Sequence, residues 1–323
     1  MNNYEEHILN FSNQLGFKNL KEANLFKLKN LKPDGIVVVG MGGSGLAGDV
    51  LLGLTKSIGL KTPILLWKNY DLPDTNFKKP LVIFTSFSGN TAETVSGFKK
   101  LLAPKKKMAI AAITTGGELK KMAETHNVPL VSFNAQNLTA REALGYTYNA
   151  LIKVLRKLFP FLRIHDFSRQ LKPLKFQNQA KKLAAAINRS IPLIYTDSNY
   201  SHLGYIWKIN FNETAKHPAF ANSMPEMYHN EITGFEKQNF PFLALFLKDA
   251  ASPKPITRKT AITEKILKNN GIKTIGLNLT GKNQEEKTWN SIILSHLTSL
   301  YLAKLKKVNP TQTRFTDQIK MAK

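Results

Sequence analysis

Apolar and polar positions alternate between two periods along this chain. Short continuous apolar runs at residues 36–39, 64–67, 81–84, 108–113 and 128–131 read as strands buried on both faces. Between them lie stretches of helical spacing, at about 46–57, 91–102 and one ending near His126. A further helix runs from 139 to about 159. Strand alternating with helix predicts a doubly wound α/β fold with a parallel sheet flanked by helices. Residues 5–30, with Ile8, Leu9, Phe11, Leu15, Leu20, Leu25 and Leu28, predict a helical packing extension. After a basic connector at 160–173 the pattern repeats. It gives a helix at 175–189, a strand at 191–196, a helix at 202–212, a strand at 240–247, a helix at 257–269, a strand at 274–279 and a long amphipathic helix at 289–305. The echo predicts two similar subdomains, 1–165 with the helical extension and 166–323.

The stretch LVIFTSFSGNTAETV (81–95) organises the first half. Its strand runs into Thr85, Ser86, Phe87, Ser88, Gly89, Asn90 and Thr91, and Thr91 can cap the helix that follows. Hydroxyls, loop N–H groups and a helix N-terminus then converge on the carboxyl end of a strand, a place that suits an anion such as a phosphate. A capped polar turn would use the same residues. No lysine lies between Pro80 and Phe98, so this is not a Walker loop.

The strand at 36–39 runs into GMGGSG (40–45), whose glycines, Gly43 among them, let backbone approach a ligand while Ser44 adds a hydroxyl. Positions 40, 42 and 45 also satisfy the G-x-G-x-x-G dinucleotide pattern. The strand at 64–67 ends in Lys68, Asn69 and Tyr70 where a ribose-binding acid belongs, which argues against that fold, although a lysine there suits a 2′-phosphate.

A chain of 323 residues without cysteine has no disulfides and no thiolate metal sites. The N-terminal MNNYEEHILNF is not expected to be a signal peptide, and no apolar run approaches the length of a membrane span. The net charge is +24, from 46 Lys+Arg against 22 Asp+Glu. The lysines are scattered, with short runs such as Lys105–Lys107 and Lys306–Lys307, and no helix-turn-helix, zinc-finger or aromatic RNA-binding signature accompanies them. Solvated basic faces that gather anionic substrates are expected, and no specific nucleic-acid partner.

Arg141, near the start of the 139–159 helix, works against the helix dipole, which makes it a ligand candidate as well as a solvated arginine. Glu213 and His229, sixteen residues apart, could serve as base and ring-opening acid, or as a solvated carboxylate and a structural imidazole. His217, His229 and Glu231 lack metal-site spacing, so no metal is expected. Lys320, near the terminus, would ordinarily be frayed and solvated.

Together these motifs resemble the sugar isomerase (SIS) superfamily, and within it the bifunctional phosphoglucose/phosphomannose isomerases. GMGGSGLAGD from Gly40, SFSGNTAET from Ser86, REALGYT from Arg141, FNETAK from Phe211, PEMYHNEI from Pro225 and PTQTRFTDQIK from Pro310 carry the likeness. They are spread in order over nearly the whole chain, and the joint match is specific where each piece alone is not. The resemblance implies two SIS subdomains and an aldose–ketose isomerase joining glucose 6-phosphate or mannose 6-phosphate to fructose 6-phosphate through an enediol(ate). It implies that Ser44, Ser86, Ser88 and Thr91 hold the sugar phosphate and that Glu213 moves the proton between C1 and C2. It further implies that His229 opens the ring with Lys320 nearby and that Arg141 stabilises the enediolate, with Gly43 also at the substrate. Thr313, seven residues before Lys320, stands where ordinary phosphoglucose isomerases have glutamine, and a smaller residue leaves room for both C2 epimers. No metal, cofactor or nucleotide is implied; a cytoplasmic homodimer with His229 reaching its partner's site is. Tyr228 departs from the family's usual asparagine. A non-catalytic SIS sensor of sugar phosphates would keep the phosphate loops and lack the Glu213, His229 and Lys320 set; a basic nucleic-acid binder is the third class.

Overall fold

The computed structural model describes residues 3–16, 18–102, 108–135 and 137–321, so the basic run Lys105–Lys107 lies outside the described residues. The chain divides into two compact units, residues 10–170 and residues 171–323 together with 1–9. The first helix, α1 (Tyr4–Leu9), thus groups with the later half and not with the earlier one, to which the sequence pattern assigns it.

The 10–170 unit is built from β1 (Leu20–Ala23), β2 (Ile36–Val39), α2 (Gly42–Ile58), β3 (Ile64–Trp67), β4 (Leu81–Ser86), α3 (Ala92–Leu102), β5 (Ala109–Thr114), α4 (Gly117–Thr125), β6 (Leu130–Phe133) and α5 (Leu144–Leu158). Its six-stranded sheet has the order β1-β6-β5-β4-β2-β3. The pairs are parallel except β1 with β6, which is antiparallel. Residues of β2 and β4 are buried throughout, as expected of central strands covered on both faces. Val37, Val39, Val82 and Phe84 pack with Phe98 and Leu101 of α3 on one face of the sheet. Phe84 and Phe98 meet edge to face at 5.1 Å, and burying each such side chain contributes on the order of 2–3 kcal/mol.

The helical extension expected at 5–30 is not one helix. It breaks after α1 into a 3-10 turn (Phe11–Leu15), the edge strand β1 and a second 3-10 turn (Leu25–Leu28). Asn19, Asn24 and Asn30 take left-handed φ of 66°, 57° and 70°, which asparagine tolerates and which a helix cannot accommodate.

The later unit adds α6 (Gln177–Ile187), β7 (Ile191–Asp197), α7 (Ser201–Thr214), β8 (Phe220–Met224), β9 (Phe242–Lys248), α8 (Lys254–Asn269), β10 (Lys273–Asn278), α9 (Gln284–Leu305) and α10 (Arg314–Met321). Its sheet is wholly parallel, in the order β10-β9-β7-β8. The edge strand β8 reads FANSM, too polar to stand out as an apolar run. The long helix expected to be amphipathic, α9, is buried on nearly every face. It tolerates this because its small polar residues satisfy themselves. The hydroxyls of Ser295, Thr298 and Ser299 donate to Ile292 O, Leu294 O and His296 O, while Ser291 and Ser295 accept from Trp207 Nε1 and Asn210 Nδ2.

His202, on α7, sits beside Thr288 in this interior, and burial pushes its pKa from 6.5 down to about 4. The unfolded chain therefore takes up a proton between those values that the folded chain refuses. Stability should be complete above pH 6.5 and fall as pH drops toward 4, by about 3 kcal/mol for this one group. The urea midpoint should fall more steeply with acid in the wild type than in a His202→Asn variant.

Candidate functional site

In the 10–170 unit β2 and β4 are neighbours, and the chain leaves them in opposite directions: β2 leads through α2 to β3, and β4 leads through α3 to β5. This is a topological switch point, where an open α/β sheet leaves a crevice at its carboxyl edge. The segments that open there are the loop 40–41 with the first turn of α2, and the loop 87–91. The hydroxyl of Thr85 lies 3.1 Å from Val39 O and 3.0 Å from Ser44 O, joining them.

Four hydroxyls gather at the crevice, and the backbone sets their polarity. Ser44 Oγ accepts the Phe87 N–H at 2.9 Å, and Ser88 Oγ accepts the Asn90 N–H at 3.2 Å. Ser86 Oγ accepts the Gly89 N–H at 3.0 Å and shares a hydrogen bond of 2.9 Å with Thr91 Oγ1. A hydroxyl that accepts an N–H keeps its own proton to donate. Ser44, Ser88 and the Ser86–Thr91 pair thus offer three O–H donors, beside the first-turn N–H groups of α3. Such an array fits an anion.

The turn 139–143 completes this group. Thr139 donates its N–H and its hydroxyl to Glu142 Oε2, at 2.9 and 2.6 Å, and Ala143 N–H closes on Thr139 O. Arg141 in that turn is buried, and its backbone lies against the glycine loop: a Cβ on Gly43 would stand 2.8 Å from Arg141 N. Gly43 is there because of that close approach. Gly89 is demanded twice over, by a φ of +73° and by Gly116 O, 1.8 Å from where its Cβ would be. The structure therefore brings Gly43, Ser44, Ser86, Ser88, Thr91 and the Arg141 backbone together.

Lys68, the residue that left a 2′-phosphate reading open, holds both oxygens of Asp49 at 2.8 and 2.7 Å. Burial raises the Asp49 pKa, with Lys68 opposing it. A lysine already engaged with a buried carboxylate is a poor ribose-phosphate ligand.

The remaining candidates lie in the 171–323 unit and fall into two groups. Glu213 is the penultimate residue of α7, and its carbonyl accepts from Lys216 Nζ, which also donates to Asn309 O just ahead of α10. Lys306 Nζ donates to Lys216 O, and His217 Nε2 bonds Ser190 O beside the first residue of β7. The end of α7 and the 306–309 segment thus sit together at the amino edge of the second sheet. The segment leads into α10, where Thr313 Oγ1 donates to the Asp317 carboxylate and Lys320 is exposed. Phe315 and Ile319, one turn apart on α10, are 82% and 76% exposed. His229 belongs elsewhere. It is exposed, its ring packs on Tyr228, and it follows the carboxyl end of β8, with Glu213 before the amino end. A five-residue strand separates their attachment points by about 16 Å.

The second sheet has its own switch point, between β7 and β9. Its loops carry Asp197 and Asp249 where the first unit has hydroxyls. Asp249 accepts from the Ala251 N–H, Lys287 Nζ and Tyr200 O–H; Asp197 accepts from the Asn199 N–H and the Ser252 hydroxyl. Burial alone would raise the Asp249 pKa, but these donors together hold it below the usual carboxylate range. Among the described residues no group of three or more His, Asp or Glu side chains is arranged to hold a metal, and no helix is long and apolar enough to cross a membrane.

Sequence reasoning gave no individual role to Glu142 or Lys216, and counted Thr85 only among the polar groups of the 85–91 loop. Each works through backbone groups or a neighbouring turn, a contact that the letters of REALGYT and FNETAK do not reveal.

Comparison with known proteins bears on this arrangement. Residues 176–322 match the family described as the bacterial phospho-glucose isomerase C-terminal SIS domain. A bifunctional phosphoglucose/phosphomannose isomerase of Caldicellulosiruptor bescii is 31% identical over 305 residues, 89% of this chain and 88% of that protein. One of Thermoplasma volcanium is 30% identical, with 98% of each chain covered. Among solved structures, tagatose-6-phosphate ketose/aldose isomerase from Escherichia coli superposes with a TM-score of 0.69 at 14% identity, covering 95% of this chain and 94% of that one; this likeness speaks to the fold. By its sequence, over nearly all its length, the chain belongs to the bifunctional phosphoglucose/phosphomannose isomerase family.

Proposed function

We propose that this protein is a metal-independent aldose–ketose isomerase of the cytoplasm that interconverts glucose 6-phosphate and mannose 6-phosphate with fructose 6-phosphate. The observation that carries the reading is the hydroxyl cradle at the β2/β4 switch point, with its donors available for an anion, in a chain of this family. The substrate phosphate accepts from Ser44, from Ser88 and from the Ser86–Thr91 pair, which has one hydroxyl proton to give. His229, with Lys320 nearby, passes a proton to the ring oxygen as its bond to C1 breaks and the C1 hydroxyl gives up its proton to solvent, which opens the ring. Glu213 then takes the proton from C2 of the open aldose, leaving an enediol(ate), and returns it to C1, while O2 loses a proton and O1 gains one. The Arg141 guanidinium stabilises the oxyanion formed in between. Thr313, with Gly43 at the substrate, leaves room for either C2 epimer.

A two-fold dimer with shared sites is part of the same reading. Glu213 and His229 lie beyond opposite ends of β8, which favours their meeting through two chains. The uncovered Phe315 and Ile319 of α10 favour a partner as well.

Coupled assays with each aldose 6-phosphate, with and without EDTA, test the activity. Turnover that survives chelation is expected. Phosphosugar binding without turnover would mark a non-catalytic sensor instead. The cradle makes a separate prediction. Ser86→Ala and Thr91→Ala should raise KM more than they lower kcat, because the phosphate is held alike in ground and transition states. Initial rates and calorimetric titration with fructose 6-phosphate would show this.

A further inference from the structure

We propose that Thr115 is a positioning residue, which aims the backbone N–H of Ser88 at the substrate phosphate; this rests on the cradle reading above. Thr115 lies between β5 and α4, outside the two loops that form the crevice. Its N–H and its hydroxyl both donate to one atom, the carbonyl oxygen of Phe87, at 3.1 and 2.6 Å. That carbonyl belongs to the peptide joining Phe87 to Ser88. A trans peptide is planar, and its C=O and N–H point in opposite directions. Binding the carbonyl to Thr115 therefore turns the Ser88 N–H away from Thr115.

The peptide on the other side of Phe87 is fixed too, since the Phe87 N–H donates to Ser44 Oγ. The Ser88 N–H makes no hydrogen bond to another described group, and Ser88 is exposed. It is a donor held in place without a protein acceptor, in a loop whose neighbouring hydroxyls are also left as donors. Two hydrogen bonds to the carbonyl polarise the peptide and strengthen its N–H as a donor.

The fold of the loop does not depend on Thr115 alone. The Asn90 side chain accepts the Glu118 N–H at 2.9 Å, and Gly89 O accepts the Leu119 N–H at 2.9 Å, so α4 also tethers the loop. Removing the hydroxyl should free the 87–88 peptide to tilt while leaving the loop closed. That separates aim from stability.

The test compares the wild type with Thr115→Val, which keeps the shape and removes the hydroxyl, and Thr115→Ser, which keeps it. Inorganic phosphate is the probe, titrated by calorimetry, alongside KM, kcat and the thermal midpoint. Thr115→Val should weaken phosphate binding and raise KM by about tenfold, the lower end of the effect of one hydrogen bond to a charged group. It should leave kcat within about twofold and the midpoint within a few degrees. Thr115→Ser should restore both binding values. If the wild type binds phosphate and Thr115→Val binds it equally well, the proposal is overturned and the cradle stands. If both valine and serine variants lose binding together with a large drop in midpoint, Thr115 is a structural residue and the proposal is equally overturned. If the wild type itself does not bind phosphate, the cradle reading fails first and takes Thr115 with it.

Discussion

Glu213→Gln should lower kcat by at least about a hundredfold, the usual scale for loss of a general base, with KM little changed. The substitution keeps shape and removes only the proton acceptor. The backbone around it should stay where it is, because Lys216 holds the Glu213 carbonyl and the Asn309 carbonyl together without using the Glu213 side chain. The proposed phosphate donors belong to the 10–170 unit and are untouched, which is why KM should hold. Steady-state kinetics with fructose 6-phosphate decide it. A variant with near-normal kcat would remove Glu213 from the mechanism and return it to the role of an ordinary helix-end glutamate.

Mixing two dead variants should restore activity, a result with no counterpart in either alone. Refold Glu213→Gln subunits together with His229→Ala subunits. Each homodimer carries a defect at both sites. If His229 serves the site of its partner, each mixed dimer has one site with both defects and one with neither. Random pairing makes about half the dimers mixed, so activity should recover to about a quarter of wild type. The motive is structural: β8 stands between the two residues along the chain, and a strand cannot fold back on itself to join its own ends. A mixture no more active than its components would mean that each site is built within one chain, and the isomerase reading would survive.

The central strands were legible because parallel strands covered on both faces must be continuous apolar runs; IVVV at β2 and LVIF in β4 could hardly be anything else. The edge strand β8 was not legible, since one exposed edge lets it carry Ala221, Asn222 and Ser223. The N-terminal stretch deceived because its leucines have helical spacing, while three asparagines in left-handed conformation decide otherwise. In α9 the polar letters suggested a wet face, yet Ser and Thr can return their hydroxyls to the helix backbone and be buried. The hydroxyls that gather at the β2/β4 crevice were readable because they fall in two short runs, GMGGSG and SFSGNT, each following an apolar strand. Lys216 was not, because it reaches a backbone carbonyl 93 residues away, a contact no motif encodes.

The loops at the second switch point have a consequence for how the protein responds to its metabolite. On the proposed reading the anion of the first unit comes from solution, so the stability of that unit is linked to ligand concentration. At a hundred times the dissociation constant the gain is about 2.7 kcal/mol, and at none it vanishes. In the second unit the anion is Asp249, joined to the chain and already held by Lys287, Tyr200 and the Ala251 N–H. A tethered group competes at its own effective concentration and is never diluted away. On the proposed reading the 87–91 loop is braced from outside only while phosphosugar is bound, whereas the Asp249 loop is braced at all times by groups of its own chain. Starvation should loosen the 87–91 loop while leaving the Asp249 loop as ordered as before.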